Sequence, residues 1–237
     1  MKSADASIST FFIYSIMKSE PTIYSALKQE IGSDVTLVAV SKTKPTDQIL
    51  RLYEKGQRAF GENYVQELVE KHALLPHDIQ WHFIGHLQTN KVKYIAPFVH
   101  LIHGIDSFKL LKEVNKEAFK NKRSINVLLQ IHIAQEETKF GLDEQELEEL
   151  INQMQEQPLL HVKIIGMMGM ASFSEDSEQI RNEFHYLKSL FCRYQSMHLP
   201  NFEMQQLSMG MSSDYKIALS EGSTMIRIGS LLFGSRS

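Results

Sequence analysis

Residues 37–45 read LVAVSKTKP. Residues 37–41 are apolar, β-prone or small, the pattern of a buried strand. Lys42 closes that strand, and Pro45 prevents its simple continuation. Strand cores exclude ammonium groups, so a lysine at such a tip is unusual. Partial shelter from water lowers a lysine's pKa and frees its amine to attack a carbonyl. Lys42 is therefore a candidate Schiff-base lysine. A surface lysine that merely ends a strand reads the same way from this stretch alone, and the rest of the chain must decide.

Working outward, seven more strand-like runs follow: 58–62, 79–85, 98–106, 125–133, 162–170, 204–208 and 225–229. Helical patterns separate them. Before the first strand, 21–31 places Ile23, Leu27 and Ile31 on one side and stops at Gly32. Thr46 or Asp47 is the expected cap of a helix carrying Ile49, Leu50 and Tyr53. Asn63 or its neighbours open a helix with Val65, Leu68 and Val69, and Thr89 and Asn90 begin a short one. Ser107 caps a helix with Leu110, Leu111, Val114 and Phe119 inward. The run 143–149 reads as the solvated face of a helix burying Leu147, Leu150, Ile151 and Met154. Ser177 starts a long helix carrying Ile180, Phe184, Leu187, Leu190 and Phe191, and 214–219 forms the last. Eight strands alternating with helices imply a single α/β domain, a (β/α)8 TIM barrel. An open doubly wound sheet is the alternative; the count of eight and the lack of a glycine-rich dinucleotide loop favour the barrel.

The 237 residues match one such barrel. The net charge of -3 offers no field for nucleic acid or anionic membrane. The single cysteine, Cys192, rules out an internal disulfide framework and suits a reducing cytosol. Its place among Leu187, Leu190, Phe191 and Tyr194 points to core packing, as do Met167, Met168 and Met170 on the sixth strand. No apolar run approaches the roughly 20 residues of a membrane span. The stretch 8–17, ISTFFIYSIM, has only Lys2 before it and no small-residue cleavage site after it. Residues 1–17 are expected to be a poorly ordered extension, with Met17 an alternative start, and 18–237 the barrel. A cytoplasmic monomer is expected.

Barrel sites lie at the C-terminal strand ends. Here those ends carry Lys42, Asn63, His86, Asp106, His132, Gly169, Ser208, Arg227, Gly229 and Ser230. The loop SMGMSSD after the seventh strand holds Ser208, Met209, Gly210, Ser212 and Ser213. Gly210 permits tight backbone geometry, the serines bring hydroxyls, and exposed amides at a helix start attract anions. An ordinary helix cap without ligand reads similarly. Loops after strands seven and eight often bind phosphate in barrels. A phosphate site facing a sheltered lysine points to a phosphorylated aldehyde, and pyridoxal 5'-phosphate fits best. Arg227 lies on the strand that would neighbour the first. An inward guanidinium there would keep the pyridine nitrogen unprotonated and weaken the ring as an electron sink.

The strings LVAVSKTKP, FGENYVQE, WHFIGHLQTNK, HGIDS, GMMGM, LSMGMSSDY and GSTMIRIGSLLFG together resemble the pyridoxal phosphate homeostasis protein family over residues 37–234. The resemblance implies one barrel similar to the N-terminal domain of alanine racemase. It implies that Lys42 is the cofactor lysine and that Asn63 lies near the ring hydroxyl. It places Ser208, Gly229 and Ser230 at the phosphate and Arg227 at the ring nitrogen. It also allows Lys44 or Lys139 to accept the cofactor transiently during transfer. His132 stands where relatives more often carry asparagine, and the segment before Leu37 departs from the family pattern.

The implied role is to hold and deliver the cofactor, with transient contact to apoenzymes that use it, and to balance vitamin B6 and amino-acid pools. No catalytic residue is assigned. A racemase is the alternative; it requires a base on each face of the cofactor, and nothing places Tyr64 or Tyr215 opposite Lys42. A barrel without cofactor, serving as an interaction module, is a third class. His82 and His86 mimic a zinc motif but lack its glutamate and lie on a strand, so no metal site is expected.

Overall fold

The computed structural model describes residues 22–136 and 140–234. The expected extension at 1–17 and Lys139 lie outside them. Eight parallel strands close into a barrel in chain order. They are β1 (Thr36–Val40), β2 (Ala59–Glu62), β3 (Gln80–Phe83), β4 (Leu101–Ile105), β5 (Ile125–Gln130), β6 (Val162–Met168), β7 (Phe202–Ser208) and β8 (Met225–Ile228). The last strand returns to the first, with Val38 opposite Arg227. The sheet therefore has no edge, and the (β/α)8 reading stands against the open one. The strands are mostly shorter than their apolar runs because their C-terminal residues peel away into loops. Ile84 has left β3, for instance, although its amide still donates to the Glu62 carbonyl at 2.9 Å.

Around the barrel run α1 (Ile23–Ile31), α2 (Thr46–Glu54), α3 (Val65–Leu74), a 3-10 turn (Thr89–Lys91) leading into α4 (Val92–Ile95), and α5 (Phe108–Lys120). They continue with α6 (Glu144–Glu156), α7 (Ser177–Gln195), α8 (Tyr215–Ser220) and α9 (Ser230–Phe233). Ser107 caps α5 as expected, accepting from the Leu110 amide. Neither Thr46 nor Asp47 caps α2: the helix starts directly after Pro45, whose fixed φ sets its entry. Asp176, one residue before Ser177, caps α7. Asp143 and Glu146 form a reciprocal capping box on α6.

The helical stripes correct three inward assignments. In α1 the buried residues are Tyr24, Leu27 and Ile31, and Ile23 is 65% exposed. A spacing of i, i+3, i+7 follows the helix turn, whereas i, i+4, i+8 drifts off the face. Phe119 is 64% exposed because Ala118 takes the inward place at the end of α5. Cys192 is exposed, since α7 buries Leu187, Leu190, Phe191 and Tyr194 and turns position 192 outward.

Most of the apolar core lies between strands and helices, where Ile49, Phe60, Trp81 and Phe184 are almost fully buried. Met167 belongs to this layer, Met168 points into the barrel, and Met170 is only partly buried. Inside the barrel a smaller cluster comprises Val38, Ala59, Leu101, Leu128, Met168 and Met225. Polar groups complete this interior. His82 Nδ1 is 2.9 Å from His103 Nε2, His103 Nδ1 is 3.3 Å from Ser208 Oγ, and Arg227 Nη1 donates to Ser208 Oγ at 2.6 Å. His103 thus bridges the Ser208 hydroxyl and His82.

Burial pushes His82 down to about 3 and His103 well below the usual histidine range, and neighbouring positive charge adds to both shifts. Both rings are neutral at pH 7.

Two expectations follow from this packing. Phe184→Ala should lower unfolding free energy by ~3–5 kcal/mol, read as an earlier urea midpoint with unchanged slope. The buried histidines bind protons less readily in the folded than in the unfolded chain. Stability should therefore fall as pH drops below about 6.5, by up to ~1.4 kcal/mol per pH unit for each ring, with the His82 contribution running towards about 3. Glu62, whose carboxyl burial raises, acts in the opposite sense as pH falls. Urea unfolding of wild type and His82→Leu between about pH 7 and pH 5 separates the two, and the variant should lose less stability on acidification.

Candidate functional site

A cavity of about 610 Å³ opens at the C-terminal ends of the strands. Val40 and Lys42, on the inward side of the first strand and its extension, form one wall. Lys42 is partly buried. The chain turns sharply after it, with Thr43 at φ +62° and the Lys44 amide bonded to the Ser41 carbonyl at 3.0 Å. Lys44 also lines the cavity, and its ammonium donates to the Phe233 carbonyl at 3.2 Å.

Asn63 follows β2 directly and lines the same cavity; its Oδ1 is buried without a hydrogen-bond partner among the described residues. The end of β3 passes so close that a Cβ at Gly85 would overlap the Asn63 carbonyl. Glycine is required there for steric reasons alone.

Arg227 forms part of the floor and is 4% exposed. Nη1 donates to the Ser208 carbonyl and hydroxyl at 2.9 and 2.6 Å, and Nη2 to the Gly169 carbonyl at 3.0 Å. Burial lowers its pKa to about 10, with Asp214 opposing, so the guanidinium stays charged at pH 7. Neutral carbonyls hold it on two sides, and its orientation is fixed.

The serine-rich loop is divided by depth. Ser208 is fully buried with its hydroxyl engaged by Arg227, and Met209 is packed in the outer core. Gly210, at φ +94°, lies so close to α8 that a Cβ would come within 2.6 Å of the Ala218 methyl. None of these three lines the cavity. Its wall comes from Met211, Ser212 and Ser213, facing Gly229 and Ser230 across the mouth. Ser212 Oγ accepts from the Gly229 amide at 3.3 Å. The Ser212 and Ser213 amides donate to no other group among the described residues. The sequence displays hydroxyls here but not their depth, which is why Ser208 read as a ligand contact.

Apolar residues that the sequence reading missed complete the cavity: Ile84, Met170, Phe173 and Leu231. Phe173 is 97% exposed at its rim. No acidic side chain lines the cavity among the described residues, whereas Lys42, Lys44 and Arg227 do. The site is therefore electropositive and suited to an anion.

Other candidates lie elsewhere. His132 Nε2 is 3.0 Å from the Glu136 carbonyl, and His86 stacks on Phe140 and approaches Asp106 at 3.3 Å. Tyr64 is exposed, and Tyr215 donates to Glu30; neither lines the cavity. Among the described residues no group of three or more metal-ligating side chains comes together. None of the described helices is long and apolar enough to cross a membrane.

Comparison with known proteins agrees with this fold. Residues 24–237 match the family described as alanine racemase, N-terminal domain. The chain is 43% identical to a pyridoxal phosphate homeostasis protein of Aquifex aeolicus over 201 residues, 84% of this chain and 86% of the relative. It superposes on PipY of Synechococcus elongatus with PLP bound at a TM-score of 0.82 and 34% identity, covering 90% of this chain and 98% of PipY. Alanine racemase from Bartonella henselae shares the fold at a TM-score of 0.69 and 18% identity, over 90% of this chain and 57% of the enzyme. An electropositive cavity at the mouth of an eight-stranded barrel, and these relatives spanning most of its length, place the chain in the pyridoxal phosphate homeostasis protein family.

Proposed function

We propose that the chain binds pyridoxal 5'-phosphate as a Schiff base on Lys42 and serves vitamin B6 and amino-acid homeostasis by holding the cofactor rather than by turnover. One observation carries the reading. A single cavity collects a partly buried amine, a fixed guanidinium and a serine-lined wall, with no lining carboxylate among the described residues. The residues fit the group: the orphaned Asn63 Oδ1 awaits a hydroxyl donor, and the Ser212 and Ser213 amides await an acceptor. The Aquifex relative, a pyridoxal phosphate homeostasis protein, and the structure of PipY with PLP bound support the same ligand.

Each residue then has a role. Lys42 would supply the amine that condenses with the aldehyde, with loss of water. Asn63 would accept from the ring hydroxyl. Ser212, Ser213 and Ser230, with nearby amides and Gly229, hold the phosphate. Ser208, Met209 and Gly210 back that wall from beneath. Arg227 would hold the ring nitrogen as a hydrogen-bond donor, since a guanidinium does not give up its proton. The cofactor supplies an electron sink to bound amines, and an unprotonated ring nitrogen weakens that sink. Racemisation needs a second base facing Lys42; no tyrosine lines the cavity among the described residues, which favours a holder over a racemase. The protein so read acts in the cytoplasm as a monomer and passes the cofactor to apoenzymes by transient contact.

Absorption spectra before and after borohydride, followed by peptide mapping, test the assignment. The expected outcome is a visible band in wild type, a reduced pyridoxyl group on Lys42, and loss of the band in Lys42→Ala. Fixation on another lysine would overturn the role of Lys42. Steady interconversion of amino-acid enantiomers would restore the racemase.

A further inference from the structure

Behind the strand ends that carry Lys42 and Asn63 lies a buried ionic cluster whose residues do not line the cavity. Lys71, on α3, is 6% exposed. Its ammonium donates to the Ser41 carbonyl at 2.7 Å, Glu62 Oε1 at 2.7 Å and Glu67 Oε1 at 2.6 Å. All three of its protons are thereby used. Glu62, fully buried at the end of β2, also accepts from the Ser41 hydroxyl at 2.6 Å. Glu67 Oε1 accepts from the Thr43 amide at 2.6 Å. Burial raises the Glu62 carboxyl above the usual carboxylate range, while Lys71 opposes the shift.

The arrangement is specific in what it grips. Ser41 is held through its carbonyl and hydroxyl, and Thr43 through its amide; these are the two neighbours of Lys42. Thr43 has φ +62°, a conformation that a β-branched residue adopts only when its surroundings impose it. The other anchor, Glu62, is the residue before Asn63. One ammonium therefore ties the first two strand ends together from the reverse side of the sheet. A solvated ion pair would not need this depth, and an apolar side chain would fill the space without aiming anything.

We infer that Lys71 is a positioning residue, which with Glu62 and Glu67 fixes the turn from which Lys42 reaches the cavity. The inference rests on the proposed role of Lys42 and adds the device that orients it. Loss of the clamp leaves the phosphate wall and Arg227 in place but lets the amine wander. Condensation should therefore slow more than binding weakens, because misplacing a reacting group costs rate steeply.

The test uses the full chain as wild type, Lys71→Met and Glu67→Ala. Lys71→Met strands a buried carboxylate and risks misfolding; Glu67→Ala, at a partly exposed helix position, releases the Thr43 amide and one of the three bonds of Lys71, leaving Glu62 and the Ser41 carbonyl on the ammonium. Two readouts are compared: the rate at which added pyridoxal 5'-phosphate develops the visible band, and the affinity for pyridoxine 5'-phosphate, which lacks the aldehyde. The rate should fall ~10–100-fold in each folded variant, with affinity changed less than about threefold. Unchanged rates would overturn the inference. So would rate and affinity falling together, the sign of general structural damage. A wild type without a band would count against the Lys42 assignment instead. The clamp is then read in the protein alone, by acetic anhydride labelling of Lys42 relative to exposed Lys93. A ratio unmoved in Glu67→Ala would overturn it.

Discussion

The pairing of the last strand with the first is the constraint from which the site follows. Val38 stands opposite Arg227 across that seam, and two residues further along β1 the chain begins to leave the sheet towards Lys42. In an open sheet with the same strand order the two edges would lie about 34 Å apart, seven strand spacings of roughly 4.8 Å. Closure instead gathers an amine from the first strand end, a guanidinium from the eighth and hydroxyls from the loops after the seventh and eighth around one opening. No local motif creates the site; the ring of strands does.

Closure also sets the terms on which a charge can be kept inside. A guanidinium buried without partners would be very costly. Here backbone carbonyls from two neighbouring strand ends and one hydroxyl take three of its five protons, and Asp214 favours its charge. The hydroxyl is satisfied in turn by neutral imidazoles deeper in the barrel. The polar column through the interior is thus a consequence of putting Arg227 at the floor. It makes the floor rigid, which a site built to retain a ligand needs and a purely apolar filling would not supply.

Much of this was legible in residue order. Eight β-prone runs alternating with helical stripes gave the architecture, and Lys42, Asn63, Arg227, Ser212, Gly229 and Ser230 all reach the cavity from strand ends where polar residues interrupt those runs. What the order of residues does not carry is depth and angle. Ser208 and Ser212 look alike in a string, yet one lies beneath the floor and the other on the wall. Ile23 and Phe119 fit an approximate helical period and fall outside the true buried arc. The Glu62, Glu67 and Lys71 cluster had a local trace in the i, i+4 spacing of Glu67 and Lys71 on one helix. Its meaning depends on α3 packing over the ends of two strands, a contact between elements that no single window contains.

Cys192 carries a practical consequence. It is the single cysteine of the chain, and α7 turns it outward near the helix C-terminus. In a βαβ unit each helix runs back from the mouth of the barrel to the opposite end, so this thiol stands at the pole farthest from the cavity. A fluorophore or spin label attached there would report on tumbling, assembly or encounters with other macromolecules while leaving the cavity untouched, with no second thiol to be engineered away.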